Sequence, residues 1–460
     1  MLHTVCTPTP HRSTQRPGRS LLTQTKDQRI EKCASHTSKI FLTILFARRL
    51  PRLYRSIMSN APDAGAGQQD FIKGWPHPSL LQRPELQTAL AESFQKAISE
   101  DPASMLNYGT KEQGAFMLGH PKFLSSLAEY LTSEYGRAVD PATLMSTGGG
   151  SMGTDLCCRV HAAAGDYAVC EAPTYYLAHQ MFRERGLNLR EVDIQPDGMD
   201  LDALEKTVQE LDGKVKLVYT VPVHHNPTGI IMSQEKRVRL AAMARQYKFY
   251  IIADEAYQLV NFKPCPVVPL YYEDDPNDPR ILSVGTFSKM IGPGVKVGWI
   301  QAHPTLLKPL TGIGFINSGN NPVIFNSMGL AHFIRSGGLK NHLDFVSSEL
   351  SRKCALLCSE LRSAGLEPFE PTGGYFVWCP SKDGKMTGRN GKGMCLDPPD
   401  RFEKHMRLCF AWLTDEQIIT ELNLNVLWFR LHFVNSGYTL FLIGAYIGIY
   451  YDASYLGGTP

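Results

Sequence analysis

Three apolar segments, each ending in residues that carry chemistry, constrain the fold of this chain more than any other feature. Lys216–Val223 runs into His224-His-Asn-Pro-Thr-Gly229, Phe249–Ala253 ends at Asp254, and Ile281–Phe287 delivers Ser288 and Lys289. Each segment is short and almost unbroken in its apolarity, the pattern of a strand buried on both faces rather than one. A stretch of helical periodicity, Ser233 to Lys248, separates the first two. Alternation of this kind builds an α/β fold, a mainly parallel sheet covered by helices on both sides. Ligands of such sheets gather at the carboxyl ends of the strands, where Asn226, Asp254 and Lys289 all fall.

The rest of the text fits the same architecture. Leu86, Leu90, Phe94 and Ala97 mark one amphipathic helix, and Phe123, Leu124, Leu127, Tyr130 and Leu131 a second. In Ser146-Thr-Gly-Gly-Gly-Ser-Met-Gly-Thr-Asp155, glycines precede a helical pattern at Met152, Leu156 and Val160. Free backbone N–H groups and the positive end of a helix dipole then share one small volume, which suits a phosphate; a flexible turn has the same composition. Tyr167–Glu171 reads as a strand leading to Pro173-Thr-Tyr-Tyr176, with another strand around Leu189–Val192. Positions Leu339, Leu343, Val346, Leu350, Cys354, Leu357 and Leu361 describe one long helix bridging two lobes. Tyr375–Trp378 and Met406–Phe410 are strands separated by a polar, glycine- and lysine-rich stretch.

Charge excludes one class of partner. Residues 1–57 hold eleven Lys and Arg against Asp27 and Glu31, so 36 basic and 42 acidic residues remain in the body of the chain. An acidic body argues against nucleic acid as the main partner. The basic segment is poor in acids and rich in Ser and Thr, which fits an organelle-targeting segment, a disordered extension, or translation from Met58. The eleven cysteines show neither a spaced disulfide framework nor metal-ligand pairs, so a reducing compartment and no metal are expected. The compartment, cytoplasmic or mitochondrial, stays open. The apolar run Tyr438–Tyr451 is too short for a comfortable membrane span, and no membrane partner is expected.

Taken together, Pro173-Thr-Tyr175, Asn226-Pro-Thr-Gly229, Asp254-Glu-Ala-Tyr257, Ser288-Lys289, Gly373-Gly-Tyr-Phe376 and Arg407-Leu-Cys-Phe410 resemble the class I and II aminotransferases. These are fold type I enzymes dependent on pyridoxal 5'-phosphate, and the resemblance covers about residues 66–421. It is strongest to the 2-aminoadipate, kynurenine and aromatic group. It implies a large domain with a seven-stranded-type sheet and a smaller α+β lobe. Lys289 would form the internal Schiff base and move a proton at the substrate α-carbon. Asp254 would pair with the pyridine nitrogen, Asn226 and Tyr257 with the ring's phenolic oxygen, and Tyr175 would stack on the ring, Tyr176 being the neighbour one register away. The phosphate would be held by Gly150, Ser151, Thr286, Ser288 and Lys296, and by Tyr108 from a neighbouring subunit of a homodimer. Arg407 would bind the substrate carboxylate, with Gly74 and Asn226 lining the same pocket.

The chain also departs from that pattern. Lys296 stands where the family usually has arginine, and Gly150 and Ser151 where it has serine and glutamine. The connection between Trp378 and Arg407 is short, and the final helix beyond Glu421 is replaced by an apolar segment. The expected organisation is a basic tail (1–57), a segment contributing to the small lobe (58–105), a cofactor domain (106–335), a shortened small lobe (336–421) and an atypical tail (422–460). The implied reaction is ping-pong transfer of an amino group from an amino acid to a 2-oxo acid such as 2-oxoglutarate. A β-lyase acting on the same adduct and a non-catalytic, cofactor-binding homologue are the alternatives. A DNA-binding regulator is disfavoured because residues 1–57 show no paired amphipathic helices.

Overall fold

The computed structural model describes residues 71–108, 116–381, 389–420 and 422. The expectations about residues 1–57, Met58 and the apolar segment from 423 onward lie outside these residues. The large sheet has eight strands in the order β1-β8-β7-β6-β5-β2-β3-β4. They span Leu144–Thr147 (β1), Tyr167–Ala172 (β2), Asn188–Gln195 (β3), Gly198–Met199 (β4), Val215–Thr220 (β5), Tyr250–Asp254 (β6), Ile281–Thr286 (β7) and Gly298–Ala302 (β8). From β7 to β3 every neighbouring pair is parallel. Seven strands form the body of the sheet, and the two-residue β4 closes its far edge.

The unbroken apolarity of the central strands is explained by burial on both faces. Leu217, Tyr219, Ile252, Leu282 and Val284 pack in one core, and Val215, Val218, Ile251, Ala253 and Ile281 in another across the sheet. The helices over the first core are α3 (Gly150–His161), α4 (Tyr176–Glu184) and α7 (Pro304–Thr311); α5 (Leu201–Glu210) and α6 (Gln234–Tyr247) cover the second. Local signals set the helix ends. Ser233 Oγ accepts the N–H of Lys236 at the start of α6, and Lys248 ends it in the left-handed region at φ +60°.

Neither β1 nor β8 was foreseen. The link from β7 to β8 is only residues 287–297, too short for a crossover, so β8 returns antiparallel to β7 and then pairs with β1. That short return holds both Lys289 and Lys296 at the same end of the sheet. Gly285 and Gly298 permit the tight pairing: a Cβ on Gly285 would lie 2.2 Å from the Trp299 ring, and one on Gly298 2.6 Å from Gly285 O.

Helices α1 (Pro84–Glu100) and α2 (Pro121–Tyr135) pack against α8 (Ile324–Arg335). The long helix α9 runs from Gly338 to Ser363, and its Leu350, Cys354, Leu357 and Leu361 bury against Val377, Cys379, Met406 and Leu408 of a second sheet. That sheet has the order β10-β11-β9, with β9 at Phe376–Pro380, β10 at Arg389–Asn390 and β11 at His405–Cys409. The connection expected to be only a polar linker therefore contributes a strand. Its following loop also docks on the large sheet: Leu396 N donates to Glu191 Oε2 at 2.7 Å and Thr174 N donates to Met394 O at 2.9 Å. Among the described residues no helix is long and apolar enough to cross a membrane, and no cluster of His, Cys, Asp or Glu is arranged to hold a metal.

Candidate active site

A cavity of about 450 Å³ opens at the carboxyl ends of β5, β6 and β7, large enough for a small organic cofactor with part of a substrate. Gly74, Gly150, Ser151, Tyr175, Asn226, Asp254, Tyr257, Thr286, Ser288, Lys289, Lys296 and Arg407 all line it. Tyr108 does not; it stands on the surface, 67% exposed.

At one end α3 begins. Its cap, Gly149, has φ +98° and no side chain caps the first turn, which leaves the N–H groups at Gly150 and Ser151, both on the cavity wall, without a side-chain acceptor. Gly298 lets the helix start approach β8, since a Cβ there would fall 3.0 Å from Gly149 Cα. Thr286 Oγ1 donates to Ser288 Oγ at 2.9 Å and accepts the Ser288 N–H at 3.1 Å, so both hydroxyls turn toward the helix start. Lys296 follows the turn Pro293–Val295 in the left-handed region at φ +53° and supplies a cation to the same end.

In the middle, Asp254 Oδ2 accepts the Tyr219 hydroxyl at 2.8 Å and Oδ1 accepts the Ala256 N–H at 3.3 Å. Burial pushes the Asp254 carboxyl pKa up, opposed by those two hydrogen bonds and by the charge of Lys289. Lys289 Nζ donates to Gly74 O at 2.7 Å. It lies 5.8 Å from the Tyr257 ring centre and 5.9 Å from that of Tyr375, whose hydroxyl donates to Lys289 O at 2.6 Å. Burial brings the Lys289 amine down to about 8; the Cys409 thiol and Asp254 oppose the shift and Arg407 adds to it. Acid and amine are thus both pushed toward neutrality. The cavity suits a cationic partner for the one and an electrophilic carbon for the other. Tyr175 and Tyr176 both line the wall, their rings edge to face with centroids 6.1 Å apart. Burial and then the nearby Asp254 push the Tyr175 phenol up to about 12.

At the other end Arg407 Nη1 donates to Asn226 Oδ1 at 3.1 Å and Nη2 to Ile72 O at 2.8 Å, with the guanidinium 4.3 Å from the Phe376 ring centre. A surface arginine on an edge strand is the other reading that the sequence allows at this position. Arg407 is 5% exposed on the central strand of the small sheet, opposite Trp378. Asn226 is held by its turn: the buried Glu171 accepts from Thr220 Oγ1 at 2.6 Å and Val221 N at 3.0 Å and sits 3.1 Å from His225 Nε2. Sequence reasoning gave no site role to Tyr219, Ile72 or Trp75, nor to Tyr375, although Tyr375 stands in one of the motifs that carry the resemblance. Both tyrosines were read only as members of strands, and the need of a buried phenol for a partner is the signal that could have flagged them.

Residues 85–420 match the family of class I and II aminotransferases. The chain belongs to that family. Aromatic-amino-acid aminotransferase 1 of Thermococcus litoralis is 30% identical over 346 residues, 72% of this chain and 81% of the relative. The 2-aminoadipate transaminase of Thermus thermophilus is 28% identical over 68% of this chain and 75% of its own length. Among solved structures, the multiple substrate aminotransferase of Thermococcus profundus has a TM-score of 0.67 at 26% identity, covering 76% of this chain and 88% of that one. Members of the family are pyridoxal-phosphate-dependent transferases. In this aminotransferase the donor set fits that group. An uncapped helix start, two hydroxyls and an ammonium suit its phosphate, Asp254 its basic ring nitrogen, and Lys289 its aldehyde. Lysine at 296 gives a point charge in place of a planar fork, so a phosphate contact there would be one of charge rather than of matched geometry.

Proposed function

We propose that this aminotransferase carries an amino group from 2-aminoadipate, kynurenine or an aromatic amino acid to a 2-oxo acid such as 2-oxoglutarate in a ping-pong cycle. The observation that carries the reading is Lys289: its amine faces the cavity between Asp254 and Arg407, with its pKa brought down to about 8. An amine with that pKa both accepts and releases a proton near neutral pH.

When bound, pyridoxal phosphate supplies an electron sink for negative charge at the substrate α-carbon. Gly150, Ser151, Thr286, Ser288 and Lys296 would hold its phosphate end, Asp254 would meet its ring nitrogen, Asn226 and Tyr257 its phenolic oxygen, and Tyr175 would stack on the ring. Arg407 binds the α-carboxylate of the substrate through two parallel donors, with the backbone at Gly74 closing the pocket. Lys289 Nζ takes the proton from the α-carbon and returns it to the product side. Ile72, Trp75, Leu177 and Met181 offer apolar surface to the substrate side chain, which supports a bulky or aromatic donor. Tyr108, with Leu106 exposed beside it, is the residue that a second copy would bring to the phosphate, and we propose a homodimer on that ground.

Purified protein loaded with pyridoxal phosphate is titrated with a panel of amino acids while the visible absorption band is followed. Loss of the band with 2-aminoadipate or an aromatic amino acid, and its return with 2-oxoglutarate, supports the reading. Full turnover by Lys289→Ala, or an unchanging spectrum with every amino acid, refutes it. Release of ammonia and a 2-oxo acid without an acceptor would instead indicate a β-lyase.

A further inference from the structure

We propose that Tyr219 is a positioning residue for the reaction: its phenol holds the Asp254 carboxylate in the orientation in which it meets a basic ring nitrogen. The inference rests on the reading of Asp254 given above. Tyr219 lies on β5, fully buried, and Asp254 ends the neighbouring parallel strand β6. The two side chains therefore meet across one strand spacing, with Tyr219 OH 2.8 Å from Asp254 Oδ2. The Phe182 ring stands edge to face against the tyrosine, centroids 5.4 Å apart, and fixes the ring that carries the donor.

The bland alternative is a core tyrosine whose hydroxyl merely needs an acceptor, and a backbone carbonyl would serve that need as well. Its partner is instead the side chain of an acid lining the cavity. An ionised carboxylate offers about four lone-pair sites. Tyr219 takes one on Oδ2 and Ala256 N one on Oδ1, which fixes the plane of the group and leaves the remaining capacity for the cavity. Burial alone favours the neutral acid, and Glu171 from β2 adds repulsion, while Lys289 after β7 attracts. A donated phenol hydrogen bond is the short-range contact that favours the charged, correctly turned carboxylate. Tyr175 also faces Asp254, from the start of α4.

The test is binding, with no turnover required. Apoenzyme and Tyr219→Phe are titrated with pyridoxal phosphate and with its carbocyclic analogue, in which a C–H replaces the ring nitrogen. Loss of a hydrogen bond to a charged group predicts about ten- to a hundredfold weaker binding of pyridoxal phosphate by the variant and no change for the analogue. Equal loss for both ligands, or loss for neither while wild type still prefers pyridoxal phosphate, overturns the inference. If wild type binds both ligands equally, the Asp254 reading falls as well. In an Asp254→Asn background Tyr219→Phe is expected to add nothing, and a full additional loss would refute the coupling. Should Tyr219→Phe fold poorly, 3-fluorotyrosine incorporated at position 219 keeps the packing and makes the phenol a stronger donor. Infrared titration of the Asp254 carboxyl should then show a lower midpoint than in wild type, and an unchanged or higher midpoint counts against the proposal.

Discussion

The amine of Lys289 makes the most direct quantitative prediction. Its pKa falls from 10.5 to about 8 because the cavity floor withholds water from the ammonium, and the opposing thiol and carboxyl do not restore it. At pH 7 such an amine is neutral in roughly one molecule in ten, against roughly one in three thousand for an ordinary lysine, an enrichment of about 300-fold. Trace acetylation of the apoenzyme across pH 6 to 11, quantified peptide by peptide, reads each lysine's titration in one experiment. Lys289 should titrate with a midpoint near 8 while ordinary exposed lysines continue to rise above pH 10. Nucleophilicity falls with basicity, so the midpoint rather than the absolute rate is diagnostic. Stability should follow the same group. The folded pKa is depressed, so between pH 8 and 10.5 the unfolded chain holds more protons, and stability rises with pH across that window. Lys289→Met should abolish that rise. A midpoint near 10.5 would refute the argument from burial, and with it the reason this amine reacts at neutral pH.

Other consequences are open to simpler assays. Gly298→Ala forces a methyl against Gly285 O and Gly149, so it should destabilise by about 1–3 kcal/mol and weaken pyridoxal phosphate binding; an unchanged melting temperature and affinity would show that the strand shifts freely. Arg407→Lys keeps the charge but loses the paired donors to Asn226 and Ile72, so kcat/KM for the amino acid should drop roughly 30-fold or more while cofactor affinity holds, as steady-state kinetics and absorbance titration can check. Burial lifts the Glu191 carboxyl to about 7 despite the Leu396 N–H it accepts. Its folded pKa lies above its unfolded one, so stability falls as pH rises from about 4.5 through 7. Glu191→Gln should remove that fall, leaving the variant more stable than wild type at pH 8 and similar at pH 5. Denaturation midpoints that stay equal at both pH values would sink this account.

The extent to which the site was readable from sequence varies along the cavity. Asn226, Asp254 and Lys289 were accessible because each closes an apolar run, and burial on both faces of the sheet is written directly into those runs. The glycine run 148–150 was accessible as a helix start. Arg407 was ambiguous, because whether a short strand is central or at an edge depends on a partner strand, β10, that is only two residues long. Strands β1 and β8 escaped notice for a related reason. Four or five residues between stronger signals look like loop until their pairing is known.

By itself, then, the sequence determined the parallel α/β core and the chemistry at its strand ends, because periodicity and residue type are local properties. Tertiary structure decided what those groups do to one another. Lys289 meets Gly74 across 215 positions of chain, Arg407 meets Asn226 across 181, and Asp254 is turned by Tyr219 from the next strand. Such contacts depend on strand order and the closeness of the β7–β8 return, and so do the desolvation that lowers the lysine pKa and the hydrogen bond that holds the acid.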